Sequence, residues 1–202
     1  MALKRISRKK MVDAINEVFD AFCVKNFSRI SETFVKYKID IKTVDPNGCT
    51  LLWDVGTFII VHNSSRRNRN IINCMQFLID HGADVNHLNN FGETVLHLVV
   101  GVDRHNPEAV EMLIRNGADV NCVNNDGDSP LTIAIGSFRD NYPEVITPLL
   151  KAGADPYLQL NKKKRGCDTL EEFIEMWTGK RENTQLKATY LKAMKECGKL
   201  EE

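Results

Sequence analysis

The block Gly-Ala-Asp-Val-Asn stands at residues 82–86 and again at 117–121, and residues 153–156 read Gly-Ala-Asp-Pro. The intervals are 35 and 36 residues. A unit of that length cannot bury an apolar face by itself, so neighbouring units must stack and share one core. A second block stands upstream of each: Gly48-Cys49-Thr50-Leu51-Leu52, Gly92-Glu93-Thr94-Val95-Leu96-His97 and Gly127-Asp128-Ser129-Pro130-Leu131.

Each shared feature has a local physical reason. Gly48, Gly92 and Gly127 lie in Asn/Asp-rich stretches, where a turn calls for a residue tolerant of positive φ. Thr50, Thr94 and Ser129 suit helix N-caps, since their hydroxyls accept from the first free amides. Pro130 then fits the first helical position, where a missing N–H costs nothing. Gly82, Gly117 and Gly153 suit left-handed caps at the end of a second helix. Between cap and terminator, apolar residues recur at helical spacing: Met75, Leu78, Ile79; Val110, Leu113, Ile114; Ile146, Leu149, Leu150.

The two blocks together resemble the ankyrin repeat, a β-turn followed by two antiparallel helices. The fold class this implies is an all-α solenoid of helix-turn-helix units with β-turn fingers. Five units are expected within a single domain, 1–202: capping units at 1–44 and 160–202 around repeats at 45–88, 89–123 and 124–159. Met11–Cys23 supplies the first helix of the N-terminal cap, with Ile15, Val18, Phe19 and Phe22 on one face. Residues 28–44 read as its partner helix followed by a worn copy of the pentapeptide, Ile39-Asp40-Ile41 standing over Ala-Asp-Val. At the other end Gly166–Leu170 echoes the upstream block, with helices expected near 169–178 and 184–197. Trp53 and Thr132 replace the motif histidine, so only His97 retains its hydrogen-bonding role. Pro148 falls inside a helix, where it should free a carbonyl and produce a kink. The first repeat carries an insert at about Phe58–Asn70, whose later part, HNSSRRNRN, is expected to be an exposed loop.

The composition limits the function. No apolar run reaches the ~18 residues a membrane span requires, and no apolar stretch follows the charged start to make a secretory signal. The cysteines Cys23, Cys49, Cys74, Cys122, Cys167 and Cys197 are scattered without a metal-binding spacing, which fits a reduced cytoplasmic setting and no metal. Net charge is zero, but residues 45–159 hold seven Lys/Arg against fourteen Asp/Glu. That acidic middle argues against nucleic-acid binding and suits a basic partner. Lys162–Arg165, with Lys4–Lys10, is a candidate nuclear-import signal, so a nuclear location is considered beside the cytoplasm, although a solvated fingertip explains 162–165 as well. His62, His81, His87, His97 and His105 fall at unrelated places in the repeat, and no P-loop, GxGxxG or GxSxG occurs. Neither catalytic residues nor a cofactor are expected.

The resemblance implies a protein-binding module, adaptor or inhibitor, monomeric on its own. One variant is an inhibitor like those of the inhibitor-of-kappaB family, including stand-alone viral versions; another is a regulatory subunit of a kinase. The family's variable turn positions map to Pro46, Asn47 and Cys49, to Asn90, Phe91 and Glu93, to Asn125, Asp126 and Asp128, and to Lys164 and Arg165. Phe91 is the expected anchor, an aromatic flanked by polar residues. A second candidate surface is an arginine edge, since Arg69, Arg104 and Arg139 recur at 35-residue spacing beside Arg66 and Arg67. By resemblance alone, Asn86 and Asn121, each with a leucine eight residues upstream, are candidate sites for an asparaginyl hydroxylase.

Overall fold

The computed structural model describes residues 5–23, 27–61, 65–101, 106–136, 143–156 and 158, together with 188, 191–192 and 194–198. The chain forms two compact units, Met1–Leu98 and Val99–Glu202. Among the described residues the ordered elements are helices, with isolated β-bridges in place of a sheet.

In the first unit α1 (Arg8–Cys23) packs against α2 (Phe27–Tyr37), and α3 (Leu51–Val61) against α4 (Ser65–Asp80). Helix α1 also touches α3 and α4, burying Met11, Ala14, Ile15 and Val18 of α1 and Ile71, Cys74, Met75 and Leu78 of α4. Residues 5–6 run beside Val44, the Ile6 amide donating to its carbonyl at 3.0 Å.

Of the expected exposed loop, residues 62–70, the described part is helical instead, residues 65–70 opening α4. Helix α3 runs to Val61 and α4 starts at Ser65, making them 11 and 16 residues long, against 7 and 9 for α5 (Val95–Gly101) and α6 (Pro107–Arg115). The insert thus lengthens the helix pair. The physical reason is twofold: the stretch contains no Gly or Pro to break a helix, and α1 offers a surface to pack on. Phe58 stacks on Phe19 of α1, the ring centroids 5.2 Å apart and nearly parallel.

The second unit continues with α6, α7 (Pro130–Gly136) and α8 (Pro143–Lys151), α8 packing on both α6 and α7. Pro130 opens α7, and Pro148 sits inside α8, which continues to Lys151. Asn106 caps α6, its side chain accepting from the Ala109 amide at 3.2 Å. The expected C-terminal capping unit, 160–202, lies mostly outside the described residues; positions 188, 191–192 and 194–196 are helical, and Met194 is buried.

The repeat signature has one hydrogen-bonding basis throughout. Gly82, Gly117 and Gly153 adopt φ of 93°, 82° and 95°. The next amide then turns back to a carbonyl near the helix end: Ala83 to Leu78, Ala118 to Leu113 and Ala154 to Leu149. The worn N-terminal copy does the same, Ile39 donating to the Phe34 carbonyl with Lys38 at φ 52°.

Candidate protein-binding fingers

Each repeat begins with a short finger built around one buried side chain. In the first, Asp45 Oδ1 accepts from the amides of Asn47 and Cys49, both at 2.8 Å. In the second, Asn89 Oδ1 accepts from Phe91 at 2.8 Å and Glu93 at 3.0 Å. In the third, Asn124 Oδ1 accepts from Asp126 at 3.0 Å and Asp128 at 2.8 Å. All three side chains are buried, so each amide bond they form replaces water that cannot enter. These turn builders are not among the expected fingertip residues. Their signal is present nonetheless, as an Asp or Asn three residues ahead of every turn glycine.

The first two fingers are tied together within their unit. Asn90 donates its amide to the Asn47 carbonyl and its side-chain Nδ2 to the Pro46 carbonyl, both at 2.9 Å. His87 Nε2 donates to the Gly48 carbonyl at 2.9 Å. A Cβ at Gly48 would stand 2.8 Å from Asn90 Oδ1, so that position requires glycine for space as well as for its φ of 77°. Behind the second finger His97 is buried. The Thr94 amide donates to its Nδ1 at 3.0 Å, and the Thr94 hydroxyl lies 2.9 Å from the same nitrogen. In the third repeat Thr132 fills that place, its hydroxyl 2.9 Å from Ser129 Oγ.

The fingertips do not present all the expected residues. Pro46, Asn47, Asn125 and Asp126 are exposed, and Phe91 is exposed over 59% of its surface. Cys49 is a correction: it is buried, because its amide is drawn inward onto Asp45. Burial, then the charges of Asp45 and Asp54, pushes its thiol up to about 12, so it carries no thiolate at neutral pH. Glu93 and Asp128 are half-buried, Glu93 accepting from Asn89 Nδ2 at 3.0 Å. Leu88, not expected at the fingertips from the sequence, is half exposed one residue ahead of the second finger. Lys164, Arg165, Arg104 and Arg139 lie outside the described residues, as do His62, His105 and the side chains of Arg66 and Arg67. Arg69 is exposed near the start of α4.

The sequence of residues 61–159 matches the family profile for ankyrin repeats, in three copies. With the capped helix pairs and fingers in place, that match decides the family. This is an ankyrin-repeat protein. No curated protein matches the chain. Ankyrin repeats are generally protein–protein interaction modules and typically non-catalytic. Asn86 and Asn121 of the repeated pentapeptide are exposed. Asn121 bridges to the next turn, its Oδ1 accepting from the Asp155 amide at 2.7 Å and its Nδ2 donating to the Gly153 carbonyl at 3.1 Å. Between α6 and α8 an open groove of about 510 Å³ is lined by Pro107, Glu111, Glu144, Thr147, Pro148 and Lys151. Among the described residues no helix is long and apolar enough to cross a membrane, and no group of three or more His, Cys, Asp or Glu is placed to hold a metal ion.

Proposed function

We propose that this chain is a non-catalytic, intracellular protein-binding module that acts as an adaptor or inhibitor through its fingertips. The observation that carries the reading is the second finger. Phe91 and Leu88 are exposed there while the backbone beneath them is held by buried Asn89 and by the bonds of Asn90 and His87 to the first finger. An apolar side chain on a rigid turn loses little entropy on binding, which is what an interface anchor requires. Free cysteines at Cys49, Cys74, Cys122 and Cys197 suit a reducing compartment.

A second reading is supported by charge. The acid excess of residues 45–159 suits masking of a basic segment, as an inhibitor resembling the inhibitor-of-kappaB family would do. A regulatory subunit of a kinase is a further form of the same binding role.

The test is capture of partners from lysate by the intact chain and by Phe91→Ala and Leu88→Ala variants, followed by affinity measurement on any partner retained. Loss of more than about 1 kcal/mol of binding with the fold unchanged supports the fingertip reading. Equal affinity for both variants moves the binding surface elsewhere.

A further inference from the structure

Two carboxylates set the first repeat apart from the others. At the turn-building position it has Asp45 where the later repeats have Asn89 and Asn124. Nine residues on it has Asp54, where they have Leu98 and Ile133. Both departures converge on one cation. Arg8, the first residue of α1, donates from Nη1 to Asp45 Oδ2 at 3.1 Å and to Asp54 Oδ1. Asp45 is fully buried and Asp54 is 2% exposed, while the Arg8 side chain is 45% exposed and reaches in from solvent.

We propose that Arg8, Asp45 and Asp54 form a proton-sensitive latch that fastens the N-terminal segment and α1 to the first finger. Asp45 transmits the fastening, since one of its oxygens holds Arg8 and the other holds the amides of Asn47 and Cys49. The strap Arg5–Ser7 sits on the same finger through the Ile6 amide and the Val44 carbonyl, and Val44 in turn pairs with Thr50. The weak member is Asp54. Its Oδ2 is buried and meets no hydrogen-bond donor among the described residues, so the ionised carboxylate is only half satisfied.

The groups facing Asp54 can be named. From α1 comes Arg8, and from the finger come Asp45 and the Cys49 thiol, which is protonated. Burial raises the Asp54 carboxyl to about 6, against the lowering effect of Arg8, with Asp45 adding to the rise. With Arg8 withdrawn, that lowering effect is lost and the affinity for a proton increases. A proton therefore favours the open latch. Holding is full above about pH 7 and lost as Asp54 takes up a proton from solvent on descending through about 6.

Amide hydrogen exchange on the full chain tests this, comparing about pH 7.5 with about pH 5 after correction for intrinsic rates. In the wild type, protection at Ile6, Asn47 and Cys49 is expected to fall about tenfold or more on acidification, the effect of losing one charge-assisted bond. The Ala118 amide in the other unit serves as the control. In Asp54→Asn the same amides should be weakly protected at both pH values. The carboxyl carbon of Asp54, followed by NMR, should titrate near 6 and move upward in Arg8→Gln. A wild type without pH dependence, an Asp54→Asn variant retaining it, or an Asp54 midpoint unmoved by Arg8→Gln would each overturn the latch. Should Arg8→Gln fail to fold, the Asp54→Asn comparison decides alone.

Discussion

Lys38 ends α2 in the left-handed conformation, φ 52°, that Gly82 takes at φ 93° at the end of α4. The following residues are also matched. Asp40 Oδ1 accepts from the Lys42 amide at 2.8 Å, as Asp84 Oδ1 accepts from Asn86 at 2.9 Å and Asp119 Oδ1 from Asn121 at 2.8 Å. The N-terminal helix pair is therefore a repeat in its hydrogen bonds, although its sequence has lost the glycine. A side chain in this conformation costs about 1–2 kcal/mol, and glycine offsets part of that through its freer unfolded chain. Lys38→Gly should therefore raise stability by about 0.5–1 kcal/mol, read as a higher denaturant midpoint at unchanged slope.

The Arg8 cluster predicts opposite outcomes for single and triple substitutions. Arg8→Ala leaves two buried carboxylates without their cation and should cost about 2–3 kcal/mol. Arg8→Met with Asp45→Asn and Asp54→Leu removes all three charges, gives the first repeat the residues the second has at both positions, Asn89 and Leu98, and should be neutral or stabilising by about 1 kcal/mol. Chemical denaturation of the three proteins at neutral pH separates these cases.

Global stability should follow pH with the opposite sign to the latch. The folded pKa of Asp54, about 6, lies above its ordinary value of 3.8. Its contribution is therefore fully present below about 3.8 and lost as pH rises through about 6. The stability of the wild type relative to Asp54→Asn should therefore rise as pH falls from about 7 toward about 4. Parallel stability curves for the two proteins would contradict this.

Asn121→Ala removes both bonds that join its turn to Asp155 and Gly153, and should cost about 1–2 kcal/mol. Because the side chain is exposed, it is also open to the modification that the family resemblance suggests. Co-expression with an asparaginyl hydroxylase should add the mass of one oxygen at Asn86 or Asn121, read by peptide mass spectrometry. Unmodified peptides at both sites would leave Asn121 with its turn-bridging role alone.

Phe91→Ala and Leu88→Ala should each change stability by no more than about 0.5 kcal/mol, since half or more of each residue's surface is in solvent. A larger loss in thermal or chemical denaturation would mean that these residues support the finger and do not serve as anchors.

The local signals were legible in the sequence because their causes are local. Positive φ at Gly48, Gly92 and Gly127, caps at Thr50 and Ser129, Pro130 at a helix start and left-handed ends at Gly82, Gly117 and Gly153 depend on bonds spanning a few residues. The worn copy at 38–42 was legible for the same reason, its aspartate keeping the turn after the glycine was gone. Packing between distant segments decided the rest. Residues 62–70 are polar enough to read as a loop, yet the described 65–70 open α4, which packs on α3 and α1, while Phe58 of α3 stacks on Phe19, 39 residues away in the chain. Cys49 reads as a fingertip residue until Asp45 draws its amide inward. Arg8, Asp45 and Asp54 carry no motif in sequence, because a buried ion pair is defined by where side chains meet and by the water they exclude. Sequence by itself determined the repeat, its turns and its caps; the tertiary structure alone decided which charges are buried and which apolar residues stay exposed, since burial belongs to the packed chain and not to any one segment of it.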